Sequence, residues 1–201
     1  NYFQLGNCWT ELEAYYNAGG LLKIETFDID GSNSESTTLW NTLGVGYSSN
    51  FGTPQPVYKW APGHPLFNVP NAVPNFTSLY DDYNDDGDRT FGTGGTETVA
   101  GYTPSSTPGQ AAILLPPGGR AVVDAFIVSN NREDLDDDGI GDAVELWDNQ
   151  IVYLLSGLVS IGPGETGIGL DAATGNVIRD NEVWGQLQVG IGLKNHADGN
   201  Q

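Results

Sequence analysis

Methionine is absent from the 201 residues, cysteine occurs once, and Lys plus Arg number 7 against 26 Asp plus Glu. A single cysteine excludes an internal disulfide. Cys8 therefore reads as a small buried apolar residue rather than half of a bridge. The shortage of basic residues leaves a net charge of -19. That charge excludes nucleic acid and anionic lipid surfaces as partners, because both would be repelled. Long apolar runs are also missing. The longest, 111–115 and 121–128, have strand length, far short of the roughly 20 residues that cross a bilayer as a helix. With no Met even at position 1, the chain is expected to begin after removal of a leader, as in a secreted protein.

Catalytic signatures are equally scarce. The two histidines, His64 and His196, have no zinc-ligand neighbour at i+4. There is no G-x-S-x-G elbow and no phosphate-cradling glycine loop with its lysine. Acid pairs such as Glu11 and Glu13 arise by chance in a chain this acidic, so no enzyme is expected.

What the chain does have is acid at regular spacing. Residues 134–145 match D-x-[DN]-x-[DN]-G-x5-E at every specified position. A cation of calcium's size takes six to eight oxygens. Asp134, Asp136 and Asp138 supply carboxylates at loop positions one, three and five, and Gly139 permits the turn at six. Ile140 offers its carbonyl, Asp142 acts directly or through water, and Glu145 closes the site with two oxygens. A second run, 82–88, has the form D-x-N-x-D-G-D. Asp82, Asn84, Asp86 and the Asp88 carbonyl make half a site, with Thr93 where the closing Glu should stand. Its missing ligands would come from elsewhere in the fold or from a neighbouring chain; the alternative is a solvated turn. Calcium is the expected cofactor.

With 28 Gly and 11 Pro, the chain suits many short strands joined by turns, in one domain with a substantial core. A short helix is expected over 11–18, opened by a Thr10–Glu13 capping box and stopped by Gly19-Gly20. A strand follows over 21–29. Residues 45–110 are rich in Gly, Pro, Ser, Thr and Asn, and read as long loops with a few short strands. Ala111 to Leu115 and Arg120 to Ser129 read as two strands about the turn Pro116-Pro117-Gly118-Gly119. The second is apolar on both faces, as in a central strand covered on both sides. A helix over about 143–155 would bury Val144, Trp147, Ile151 and Leu154. Gln186 to Leu193 alternates as a strand with one face inward.

Three blocks in this order resemble a known group. They are Tyr2-Phe3 with Tyr15 to Ile24, Leu115 to Gly119 with Phe126 to Asn131, and Leu187 to Leu193. Together they are similar to the TasA/camelysin-type secreted proteins, whose relatives include archaeal bundling pili and calcium-dependent cannula tubules. The resemblance covers about a third of the positions; residues 30–110 and the loop at 134–145 have no counterpart in it. It implies a jelly-roll-type antiparallel β-sandwich with long loops and one or two short helices. It also implies an N-terminal donor-strand segment, 1–10, ahead of a single domain over 11–201. Tyr2, Phe3, Gln4 and Leu5 would then complete a sheet in the next subunit. Alternate side chains of such a strand fill pockets along an open edge, and head-to-tail contacts of this kind build filaments or tubes.

The expected function is a structural subunit of an extracellular, self-assembling filament or tubule, with identical subunits as partners and calcium as stabiliser. The alternative is a calcium-dependent carbohydrate-binding or adhesion module, in which Trp40, Tyr58 and Trp60 stack on surface glycans.

Overall fold

The computed structural model describes residues 8–26, 29, 34–53, 55–76 and 86–156, together with 168–171 and 191–194. The chain divides into two compact units, Asn1–Gly157 and Leu158–Gln201.

The first described element of the first unit is a helix, α1 (Trp9–Asn17), capped by Cys8 without a side-chain hydrogen bond. The helix therefore begins before Thr10, and the anticipated capping box does not form its start. Cys8 is exposed rather than buried. Because Trp9 and Thr10 are helical, a donor strand cannot extend to residue 10; Tyr2, Phe3, Gln4 and Leu5 lie outside the described residues. The helix stops where the glycines predict. Gly19 takes φ +99° and its N–H donates to the Tyr16 carbonyl at 3.0 Å, a left-handed stop that glycine adopts without a Cβ clash.

Next come β1 (Leu22–Glu25), α2 (Ser34–Leu43), β2 (Val45–Gly52), β3 (Tyr58–Lys59), β4 (Asp86–Gly92), β5 (Glu97–Gly101), β6 (Ala111–Leu115), β7 (Ala121–Asp124) and α3 (Asp142–Ser156). The seven described strands of this unit form one sheet in the order β1-β7-β6-β4-β2, with β5 also pairing β6 and β3. The sheet is mixed. β1 runs parallel to β7, from Leu22 beside Ala121 to Glu25 beside Asp124, which corrects the all-antiparallel expectation. The region 45–110, where long loops and a few short strands are expected, supplies four of the described strands.

β6 and β7 form the expected antiparallel pair, with Ile113 opposite Asp124 and Leu114 opposite Val123, but the second strand ends at Asp124 instead of running to Ser129, and Val128–Asn130 is a short 3-10 turn. Every residue of both strands is buried. Helices cover the two faces among the described residues. Leu39, Trp40, Leu43 and Tyr16, from α1 and α2, pack with Leu114, Ala121 and Val123. On the other side Leu146 and Leu154 of α3 join Val122, Ile113, Phe126 and the segment carrying Leu66, Phe67 and Val73. This two-sided cover is why β7 carries apolar residues at every position before Asp124.

The helix expected at 143–155 is present, but its buried face differs. Val144 and Trp147 are exposed at 55% and 47%, and the buried set is Asp142, Ala143, Glu145, Leu146, Asn149, Gln150 and Leu154. Asn149 bonds Asn71 through both its amide oxygen and nitrogen, and Gln150 bonds Asp124 through Nε2, so these amides are drawn inward and a purely apolar stripe misreads the phase. Leu146→Ala is expected to cost about 2–5 kcal/mol and Val144→Ala less than about 0.5 kcal/mol, read by chemical denaturation. Equal effects would restore the apolar-stripe orientation.

The second unit contains β8 (Ile168–Asp171) and β9 (Ile191–Lys194), paired in parallel from Ile168 beside Ile191 to Asp171 beside Lys194. The strand expected over 186–193 falls partly on β9; residues 186–190 lie outside the described residues.

Candidate metal centre

The loop at 134–141 leads directly into α3 and is shaped by its own acids. Asp134 accepts from the Asp138 N–H at 3.2 Å and from the Gly139 N–H at 3.1 Å, and Asp138 Oδ1 accepts from the Ile140 N–H at 2.7 Å. Gly139 sits at φ +93°, the left-handed turn for which position six of the spacing reserves a glycine. Asp137 also takes a positive φ, +59°, and points to no ligand role in the spacing. The base is closed where the Asp142 N–H donates to the Glu133 carbonyl at 2.9 Å.

Five of the expected ligands come together. Carboxylate oxygens of Asp134, Asp136 and Asp138 lie within 4.8 Å of one another, and so do those of Asp136, Asp142 and Glu145. Asp136 belongs to both sets. The first set is partly to fully exposed, whereas Asp142 and Glu145 are buried. Burial pushes the Asp142 carboxyl above its ordinary range; the Leu135 N–H bonded to it opposes this, and the charges of Asp136, Glu133 and Asp134 add to it. Glu145 is raised by burial first and then by Asp136, Asp138, Asp142 and Asp134. Such a set of oxygens can hold a hard cation. Ile140 is exposed, and its N–H is engaged within the loop.

The second acidic run looks different. Asp82 and Asn84 lie outside the described residues. Asp86 and Asp88 are in β4, opposite Gly52 and Asn50 of β2. Asp88 is fully buried, its carboxylate accepts from the Ile29 N–H, and its own N–H donates to the Ala125 carbonyl at 3.1 Å. These two residues belong to a ladder and a core, which the D-x-N-x-D-G-D pattern did not reveal.

Another polar cluster escaped sequence reading altogether. Lys23 of β1 donates to Asp124 Oδ2 at 2.5 Å and to Glu25 Oε1 at 2.8 Å. Gln150 of α3 donates to Asp124 Oδ1 at 2.9 Å, and Trp147 Nε1 donates to Glu25. Burial pushes the Asp124 carboxyl up to about 6, with Glu25 adding to the rise and Lys23 and Gln150 opposing it. Burial alone would lower Lys23, but Asp124 and Glu25 outweigh it and raise the ammonium. The local hints were the acid that closes the apolar strand 121–124 and the two charged residues within 22–25.

The aromatic residues considered for glycan stacking are largely engaged. Trp40 is buried in the core and packs against Trp9 with ring centroids 5.6 Å apart. Trp60 Nε1 donates to the Thr103 carbonyl at 2.8 Å. His64 Nδ1 accepts from the Leu66 N–H at 3.2 Å and caps a short 3-10 turn, Pro65–Phe67.

No family model and no curated protein matches the chain. Two solved structures share its fold at low identity. One is a thua-like protein from Bacteroides uniformis, 12% identical, with a TM-score of 0.52 over 74% of this chain and 63% of that one. The other is a cytoplasmic protein from Salmonella typhimurium, 13% identical, with a TM-score of 0.50 over 73% of this chain and 60% of that one. The chain thus spans less than two thirds of the length of either structure.

Proposed function

We propose that the chain is a non-catalytic structural subunit of an extracellular, self-assembling filament or tubule, stabilised by calcium. One observation carries the reading: five acidic side chains converge at the start of α3 in a chain of net charge -19. Self-repulsion opposes packing of such chains, and a bound divalent cation relieves it. The assembly part draws support from β1, which pairs with β7 on one side and stands at the end of the described sheet order. No second strand pairs it among the described residues, and an edge of this kind can accept a strand from another chain. Tyr2, Phe3, Gln4 and Leu5 are the proposed donor. The jelly-roll sandwich that accompanies the reading is not among its supports, since the described sheet is mixed and faced by helices.

Negative-stain microscopy tests the proposal. Purified protein in calcium at millimolar level is expected to form fibres or tubes, and neither chelator-treated protein nor a variant lacking residues 1–6 should do so. Dispersed particles under all three conditions would remove the assembly reading.

A further inference from the structure

The acidic loop differs from a solvated cluster in one respect. Asp142 and Glu145 are 0% and 2% exposed, and Asp142 Oδ2 and Glu145 Oε2 accept no hydrogen bond among the described residues. A buried carboxylate oxygen without a partner is costly. Both residues also belong to the oxygen set that shares Asp136 with the outer triad. Two orphaned, buried acceptors facing a third carboxylate are what a cation site presents when its ligands are already placed.

We propose that one divalent cation of calcium's size bridges the loop and the first turn of α3, and that its binding seats α3 on the sheet. Asp136, Asp142 and Glu145 are the inner ligands; Asp134 and Asp138 close the exposed side. This deepens the calcium part of the reading above and does not depend on assembly. Asp142 is then a direct ligand, not one acting through water, because its free oxygen is buried. The donor set is all oxygen, which suits calcium or magnesium and not the nitrogen- and sulfur-seeking metals. Three carboxylates on a turn-rich loop and two on the first turn of α3 favour the higher, more flexible coordination of calcium over the strict octahedron of magnesium.

The next turns of the same helix are tied to the rest of the unit by side-chain hydrogen bonds. Asn149 accepts from the Asn71 N–H at 2.9 Å and donates to the Asn71 carbonyl at 2.8 Å and the Leu66 carbonyl at 3.2 Å. Gln150 reaches Asp124, and Trp147 reaches Glu25. These bonds hold in one register of α3 only. Without a cation, the carboxylates at the helix start repel one another and pull against that register. With it, the first turn is fixed and the later contacts follow.

The test uses the full chain and calcium chloride as ligand. Calorimetric titration is compared for the wild type, Asp136→Asn, Asp142→Asn, Glu145→Gln and the control Asp137→Asn, which removes the same charge but no proposed ligand. The three ligand variants should weaken binding by at least about tenfold, and the control by less than about threefold. Hydrogen exchange with and without calcium is the second readout. Protection should rise in 142–156 and 66–73 and stay level in 111–115. Absence of calcium binding in the wild type, equal weakening in Asp137→Asn, or unchanged exchange in α3 would each overturn the proposal. Normal titration beside failed fibre formation would leave this site standing and remove only the assembly reading.

Discussion

Stripping calcium from the protein is expected to lower its melting temperature by about 10 °C. A ligand that binds only the folded state stabilises it by RT ln(1 + [L]/Kd), about 3–4 kcal/mol at 100 to 1,000 times the Kd. For a chain of this size each kcal/mol moves the midpoint by about 2–4 °C. The loss should come with the loop: Glu145→Gln, binding at least about tenfold more weakly, should give up at least about 1.4 kcal/mol of that stabilisation, about 3–6 °C of the shift. Acid should shrink the effect. Asp142 and Glu145 hold their protons above the usual carboxylate range in the cation-free fold. Groups raised in this way favour the folded state below their unfolded pKa and lose that contribution as pH rises. The stripped protein therefore gains from acid while calcium must displace more protons, so the calcium-dependent shift should be larger at pH 7.5 than at pH 5. Identical melting curves with and without the metal would contradict the role assigned to the loop.

Removing Lys23 should be as damaging. Asp124 is fully buried, and Lys23 is its cationic partner. Lys23→Met leaves a buried carboxylate held mainly by Gln150, a change that costs about 3–5 kcal/mol. The variant Lys23→Met/Asp124→Asn should recover much of that loss, because the stranded charge is gone. The pH profile gives a second handle. Asp124 is raised from 3.8 to about 6 in the folded protein, so the fold binds its proton more tightly than the unfolded chain does. Its contribution is complete below about pH 4 and is lost as pH rises to about 6, on the order of 3 kcal/mol in all. Metal-stripped protein unfolded in urea should thus be more stable at pH 4.5 than at pH 7, and Asp124→Asn should flatten the slope. Stability rising with pH across this window would show that the ion pair, and not burial, governs Asp124.

Both predictions run through α3, and the helix shows how far local sequence reaches. Its span, Asp142–Ser156, is close to the 143–155 expected from apolar spacing. The loop before it was legible for the same reason: ligand positions one, three, five, nine and twelve lie within one short stretch, so chain geometry alone brings their carboxylates together. The buried face was not legible. It includes Asn149 and Gln150, whose partners Asn71 and Asp124 are 78 and 26 residues away. Hydropathy counts an amide as exposed unless a partner is known, and the partner comes only with the fold.

The same division holds across the unit. The β6–β7 pair, the glycine stop of α1 and the spacing of the acidic loop depend on neighbours a few residues apart, where backbone preference and side-chain reach decide the outcome. The parallel seating of β1 beside β7, the core position of Trp40, the burial of Asp88 and the Lys23–Asp124 pair join residues up to 101 positions apart. Those contacts gain their energy only once water has left both partners together, and no short window of sequence holds both sides of that exchange.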